Sequence, residues 1–152
     1  MKTGFKVCDA MTTSPVMVAP STNLEECAKI MEKNHVGALV VGQHKILQGI
    51  VTEQDIVRKA VAHSLKAKET TVESIMETQV QTIDPAADIF DALVAMRDRN
   101  IRHLPVVDGK EMVGLLTLKD VLKIQPQLFE LLVEKFELRE AERKPIFSSE
   151  RE

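Results

Sequence analysis

Two stretches of this chain match each other without a gap, and an internal repeat constrains a fold more than any single motif does. Sliding the sequence by 65 positions sets Val7 on Val72 and Met11 on Met76. The register holds through Thr13/Thr78, Pro20/Pro85, Met31/Met96, Leu39/Leu104, Val41/Val106, Lys45/Lys110, Gly49/Gly114, Thr52/Thr117 and Asp55/Asp120. These 11 identities fall within the 52 aligned positions from 7 to 58, and they include residues with special backbone or capping demands: a Pro before a helix, a Gly inside a strand, a polar pair after it. A unit of about fifty residues buries too small a share of its surface to offset its conformational entropy, so the copies are expected to pack on each other.

Each copy reads as an extended start, a helix, two strands and a second helix. In the first, Leu24, Cys27, Ala28 and Met31 form an i, i+3, i+4, i+7 stripe behind a Thr22-x-x-Glu25 capping box. Ile89, Ala92, Leu93 and Met96 repeat that stripe, and Cys27, aligned with Ala92, reads as a small core residue. Strands are expected over Ala38 to Val41 and Leu47 to Val51, and again over Leu104 to Val107 and Met112 to Leu116, with Asp108-Gly109 as a hairpin turn. Their near-continuous apolar character suggests burial on both faces. The chain divides into a first repeat at 7–59, a linker at 60–71, a second repeat at 72–123 and a C-terminal helix and tail at 124–152. The helix is expected from about Pro126 to Glu142, carrying Leu128, Leu131, Leu132, Phe136 and Leu138.

Composition narrows the function. Twenty basic against 23 acidic residues give a net charge of −3, and with no Trp, no Tyr and five Phe the chain has neither the field nor the aromatics that nucleic-acid binding favours. No apolar run is long enough to span a membrane, the start carries no cleavable leader pattern, and Cys8 and Cys27 lack metal or disulfide spacing; a cytoplasmic protein with reduced thiols is expected. His35, His44 and His63 have no partner at ligand spacing and read as surface residues, so no metal site is expected. Phosphate-binding glycine loops, His-Glu-x-x-His and a nucleophile elbow are all missing, and catalysis finds no support.

The chemistry concentrates in Gly49-Ile50-Val51-Thr52-Glu53-Gln54-Asp55 and its echo Gly114-Leu115-Leu116-Thr117-Leu118-Lys119-Asp120, where a buried strand gives way to a helix. Structurally, Thr at N-cap and Asp at N3 form an acidic capping box. Functionally, a helix start with a free hydroxyl attracts phosphate, and a carboxylate there can accept from two neighbouring ribose hydroxyls. The two readings are compatible.

Taken together with Asn100-Ile101-Arg102-His103-Leu104-Pro105-Val106-Val107-Asp108-Gly109, this order of elements resembles the cystathionine β-synthase (CBS) domain in tandem, over about residues 7 to 123. The resemblance implies an α/β fold of two β-α-β-β-α repeats about a pseudo-twofold axis, here with an added C-terminal helix. It implies two clefts for adenine nucleotides or related adenosyl ligands, and a disc-like homodimer. Carried across by position, the second cleft would use Thr117 near ribose or phosphate and Asp120 on the ribose hydroxyls, with Ile101, Arg102, His103, Leu104, Pro105 and the segment Thr78 to Val80 framing the base. The first would use Thr52 and Asp55, with Val36, Gly37, Ala38 and Leu39 and the segment Thr13 to Val16 as its base wall. Copy one departs from the pattern at Val40, where copy two has Pro105, and at Gly42-Gln43-His44-Lys45, where copy two has Asp108-Gly109.

The copies differ most in charge: Arg97, Arg99, Arg102 and His103 match Glu32, Asn34, Gly37 and Ala38. Arg97 and Arg99 read as facing water, and Arg102 and His103 as candidates for ligand phosphate. The leading expectation is a non-catalytic sensor that requires no cofactor, binds AMP, ADP, ATP or S-adenosylmethionine, and reports to a regulated partner. A structural or dimerisation module with empty clefts, and a nucleic-acid-associated regulator, are the alternatives.

Overall fold

The computed structural model describes residues 2–133. The first half carries α1 (Val7–Ala10), β1 (Thr12–Thr13), β2 (Met17–Val18), α2 (Leu24–Asn34), β3 (Ala38–Gln43), β4 (Ile46–Thr52) and α3 (Glu53–Asp55). The second carries α4 (Ile89–Arg99), β5 (His103–Asp108), β6 (Glu111–Thr117) and α5 (Leu118–Ile124). The fold is the expected α/β repeat, with two sheets ordered β2-β3-β4 and β1-β6-β5 and one apolar core to each copy.

The start of each repeat completes the other copy. Val7 N donates to the Ala87 carbonyl at 2.8 Å and Cys8 N to that of Pro85 at 2.9 Å; in mirror image, Val72 N donates to Thr22 at 2.7 Å and Glu73 N to Pro20 at 3.2 Å. β1 pairs antiparallel with β6, Thr13 opposite Gly114, and Glu77 exchanges two backbone hydrogen bonds of 2.9 and 3.0 Å with Ile50. Val7 is wholly buried in the core of Ile89, Leu93, Leu104 and Leu116, while Val72 and Ile75 lie in that of Leu24, Leu39 and Val51. Fully burying one such side chain contributes about 1.5–3 kcal/mol, so each core depends on a segment lent by the other repeat.

This exchange explains several of the repeated residues. A Cβ on Gly114 would stand 2.6 Å from Met11 Sδ and 2.9 Å from the Thr12 carbonyl; one on Gly49 would stand at the same distances from Met76 Sδ and the Glu77 carbonyl. The Gly and Met identities are therefore the two sides of one contact, made twice, and the Pro identities accept the hydrogen bonds of the same exchange.

Several local expectations are corrected. The N-cap of α2 is Asn23, whose Oδ1 accepts from Glu26 N at 2.8 Å, in place of a Thr22/Glu25 box, and of the expected stripe Leu24, Cys27 and Met31 are buried while Ala28 is exposed. The second hairpin turns on Gly109-Lys110, one residue later than Asp108-Gly109, with Gly109 at φ +63°; the first turns on His44 and Lys45, both at positive φ. Burial on both faces holds for β3, whereas β6 alternates buried and half-buried residues. The first copy's second helix is irregular: one α turn, then a π-helical stretch Ile56–Ala60 and a 3-10 turn Val61–His63. After α5 the chain makes a 3-10 turn Pro126–Leu128 and is helical over 129–133, where Leu128 and Leu132 join the second core; the rest of the expected helix, with Phe136 and Leu138, lies outside the described residues. Among those residues no helix is long and apolar enough to cross a membrane.

Candidate ligand-binding clefts

Both Thr-x-x-Asp motifs form capping boxes. Asp120 N donates to Thr117 Oγ1 at 3.2 Å and Thr117 N to Asp120 Oδ2 at 2.9 Å; in the first copy, Asp55 N donates to Thr52 Oγ1 at 3.2 Å and Thr52 N to Asp55 Oδ2 at 3.0 Å. Each box is tied to the start of the preceding hairpin. Thr117 pairs with His103 and Leu118 N donates to the Arg102 carbonyl at 2.9 Å; Thr52 pairs with Ala38 and Glu53 N donates to Gly37 at 3.0 Å. Residues that the sequence separates by about fifteen positions are thus held side by side.

Beside the second box opens a cleft of about 400 Å³, lined by Ile50, Glu77, Gln79, Val80, Gln81, Arg99, Ile101 and His103. That volume lies within the range of small-molecule sites. The segment behind Val80 is laced to β5, with Ile83 N donating to the Pro105 carbonyl at 3.1 Å and Val107 N to Ile83 at 3.0 Å. In the first copy the Val16 carbonyl accepts from Val40 N at 3.3 Å. The matching carbonyl is that of Gln81, and the matching donor is Pro105, which has no N–H. The change from Val40 to Pro105 therefore leaves the Gln81 carbonyl without that bond, on a residue that lines the cleft.

Of the residues expected at the second cleft, Val80, Ile101 and His103 line it. Thr78 and Arg102 are exposed, Leu104 and Pro105 are buried in or against the second core, and Thr117 and Asp120 stand half-buried next to His103. Around the first box, Val36 and Gly37 are half-buried, Ala38 and Leu39 buried, Val16 half-buried and Thr13 exposed on β1 of the other copy's sheet. Arg97 pairs with Asp98 at 3.1 Å, while Arg99, read as facing water, borders the cleft. Ile50 and Glu77 went unrecognised from sequence because they reach this cleft through the exchange between copies, which self-alignment does not show.

His103 brings a half-buried titratable ring to the cleft. Burial holds its imidazole below the ordinary value of 6.5, the Arg102 guanidinium adds to this, and Asp120 and Glu53 oppose it. Burial pushes the Cys27 thiol up to about 11, with Glu26 contributing, so this cysteine is an inert core residue. Among the described residues no group of three or more His, Cys, Asp or Glu is gathered as a metal site would require.

Known proteins share this arrangement. The family model of the CBS domain matches residues 7–62 and again residues 72–126. The CBS domain-containing protein YhcV of Bacillus subtilis is 33% identical over 115 residues, covering 76% of this chain and 81% of that protein. The mitochondrial CBS domain-containing protein CBSX3 of Arabidopsis thaliana is 37% identical over 103 residues, 64% of this chain and 50% of the plant protein. The CBS domain pair of protein MJ0100, solved in complex with 5′-methylthioadenosine and S-adenosyl-L-methionine, is similar at a TM-score of 0.71 and 30% identity, over 79% of this chain and 94% of that one.

Proposed function

The chain belongs to the CBS-domain family, with two copies in tandem, and from that premise we propose that it is a non-catalytic regulatory module that binds adenosine-containing ligands in its clefts and signals their presence to a partner protein. The chemistry of the second cleft carries this reading. Ile50, Val80 and Ile101 offer apolar surface to the faces of a purine, and the Gln81 carbonyl, lacking the N–H that Val40 supplies in copy one, suits an exocyclic amine. Among the described residues nothing bonds Asp120 Oδ1 beside the capping bond through Oδ2, which suits a ribose diol, and His103 and Arg99 supply donors for a phosphate. The solved relative that binds 5′-methylthioadenosine and S-adenosyl-L-methionine supports the ligand class. Calorimetry with AMP, ADP, ATP and S-adenosylmethionine tests it: saturable binding of at least one is expected, and no heat from any of them returns both boxes to plain helix capping.

The same module is proposed as a cytoplasmic homodimer. Val57, Val61 and Leu65 are 59%, 68% and 44% exposed, apolar surface that a second copy of the chain would cover. Light scattering should give twice the chain mass of 17.0 kDa, and a mass near 17.0 kDa would refute the dimer.

A further inference from the structure

The two Thr-x-x-Asp boxes share one internal geometry, yet their carboxylates differ in occupation. Asp55 Oδ2 accepts the Thr52 N–H, and Asp55 Oδ1 lies 3.2 Å from Nζ of Lys59, one turn further on. That ammonium also donates to the Ile75 carbonyl at 3.0 Å, on the segment lent by the second repeat. The position that matches Lys59 is Ile124, whose side chain packs against the second core. Asp120 Oδ2 accepts the Thr117 N–H, and among the described residues no hydrogen bond or ion pair reaches Oδ1. We infer that Lys59 is a built-in competitor for the first cleft's carboxylate, and that this lysine makes the two clefts unequal toward ligands bearing a vicinal diol. The inference rests on the reading that these carboxylates receive ribose hydroxyls.

A diol donates two hydrogens and is held best when both carboxylate oxygens can accept them. At Asp120, among the described residues, one oxygen accepts a single amide bond and no hydrogen bond or ion pair reaches the other. At Asp55 the corresponding free oxygen already has a cation, fixed at its far side by a backbone carbonyl, so an entering diol must displace the ammonium or share the oxygen with it. Asp55 is 19% exposed and Lys59 43%, a partly solvated pair whose worth is modest. Freeing Asp55 should therefore tighten the first cleft by about two- to fivefold.

The test is calorimetry of the full chain with adenosine, an uncharged probe carrying the diol, and with 2′-deoxyadenosine, which lacks it. Lys59→Met should tighten the weaker of two adenosine binding events by that factor and leave the tighter event and the 2′-deoxyadenosine titration unchanged. Lys59→Arg, which keeps the ion pair, should behave like the unmodified chain, and Ile124→Lys should weaken the tighter event. Thermal melts run alongside show whether each variant is folded. A weaker event that is unchanged or further weakened in Lys59→Met, with the tighter event intact, overturns the competitor role alone. No adenosine binding in any of these proteins overturns the sensor reading and this inference with it.

Discussion

Arg99, Arg102 and His103 stand around the second cleft, and at the matching positions the first copy has Asn34, Gly37 and Ala38. Behind this difference the two copies share the connections of the exchange and of the caps, with hydrogen bonds onto Pro20 and Pro85 and capping distances that agree within 0.1 Å (2.9 against 3.0 Å, and 3.2 Å in both). The shared residues include those that each copy lends to the other. Among the diverged ones, His103 and Arg99 line the second cleft, where a change alters a ligand's surroundings.

The largest effect should come from cutting that mutual dependence. A fragment of residues 7–59 lacks Val72 and Ile75 from its own core and offers Val7 to a core that is not there. It should show no cooperative melt, whereas residues 1–133 should unfold in one transition. A sharp two-state melt from the fragment would mean that the exchange is incidental to stability.

Next comes the comparison of the two carboxylates. Asp120→Ala should abolish the tighter adenine-nucleotide binding event and Asp55→Ala should leave it nearly intact. A well-placed charge-assisted hydrogen bond is worth about 1.5–3 kcal/mol, or roughly tenfold or more in affinity. Because Asp120 also caps α5, Asp120→Asn and a thermal melt belong in the same experiment. Equal losses from both alanine variants would erase the distinction between the clefts, and a loss that tracks unfolding would reduce the motif to its capping role.

The glycines probe the shared part. Gly49→Ala and Gly114→Ala each push a methyl against a methionine sulfur and a backbone carbonyl, and each should cost about 1–3 kcal/mol in urea unfolding, in similar measure. If one is tolerated and the other is not, the two exchanged segments do not carry equal weight.

The order of elements, the second stripe, three of the four residues of the first, and both Thr-x-x-Asp capping boxes were legible in the sequence, because periodicity and N-cap chemistry are local. Asn23 displaced Thr22 as a cap because adjacent polar residues compete for one helix start, and only the chain's path decides between them. The π-helical stretch over Ile56–Ala60 has no residue that announces it. The exchange was hidden for a different reason. Self-alignment reports that Met11 equals Met76 and Gly49 equals Gly114, and says nothing of Met11 lying on Gly114. That pairing is tertiary, and it is also what brings Ile50 and Glu77 to the second cleft.

The smallest effect concerns acid, and it rests on two second-copy residues that differ from their first-copy counterparts. The helix caps differ: Asn23 is neutral at every pH, while Asp88 can be protonated. Desolvation pushes the Asp88 carboxyl upward, but hydrogen bonds from Phe90 N, the Thr3 hydroxyl, Gly4 N and Thr3 N outweigh it and hold the group below its ordinary 3.8. A carboxylate depressed in the folded state contributes stability that is present above 3.8 and lost as pH falls through the lower, folded value. His103 acts at milder acidity. Burial and then Arg102 hold it below 6.5, against Asp120 and Glu53, so the unfolded chain takes up its proton first and stability declines as pH falls from 6.5 toward the folded value. Glu77 and Arg99, which line the same cleft, are the other charges in its surroundings. His103→Ala places in the second copy the residue that the first has at position 38, and it should flatten urea-unfolding stability as pH falls from 6.5 toward the folded value, without changing the loss below pH 3.8. Asp88→Asn should do the reverse, giving the second copy the cap of the first and blunting only the loss below pH 3.8. A pH profile that neither variant changes would place the acid sensitivity outside the residues that distinguish the two copies.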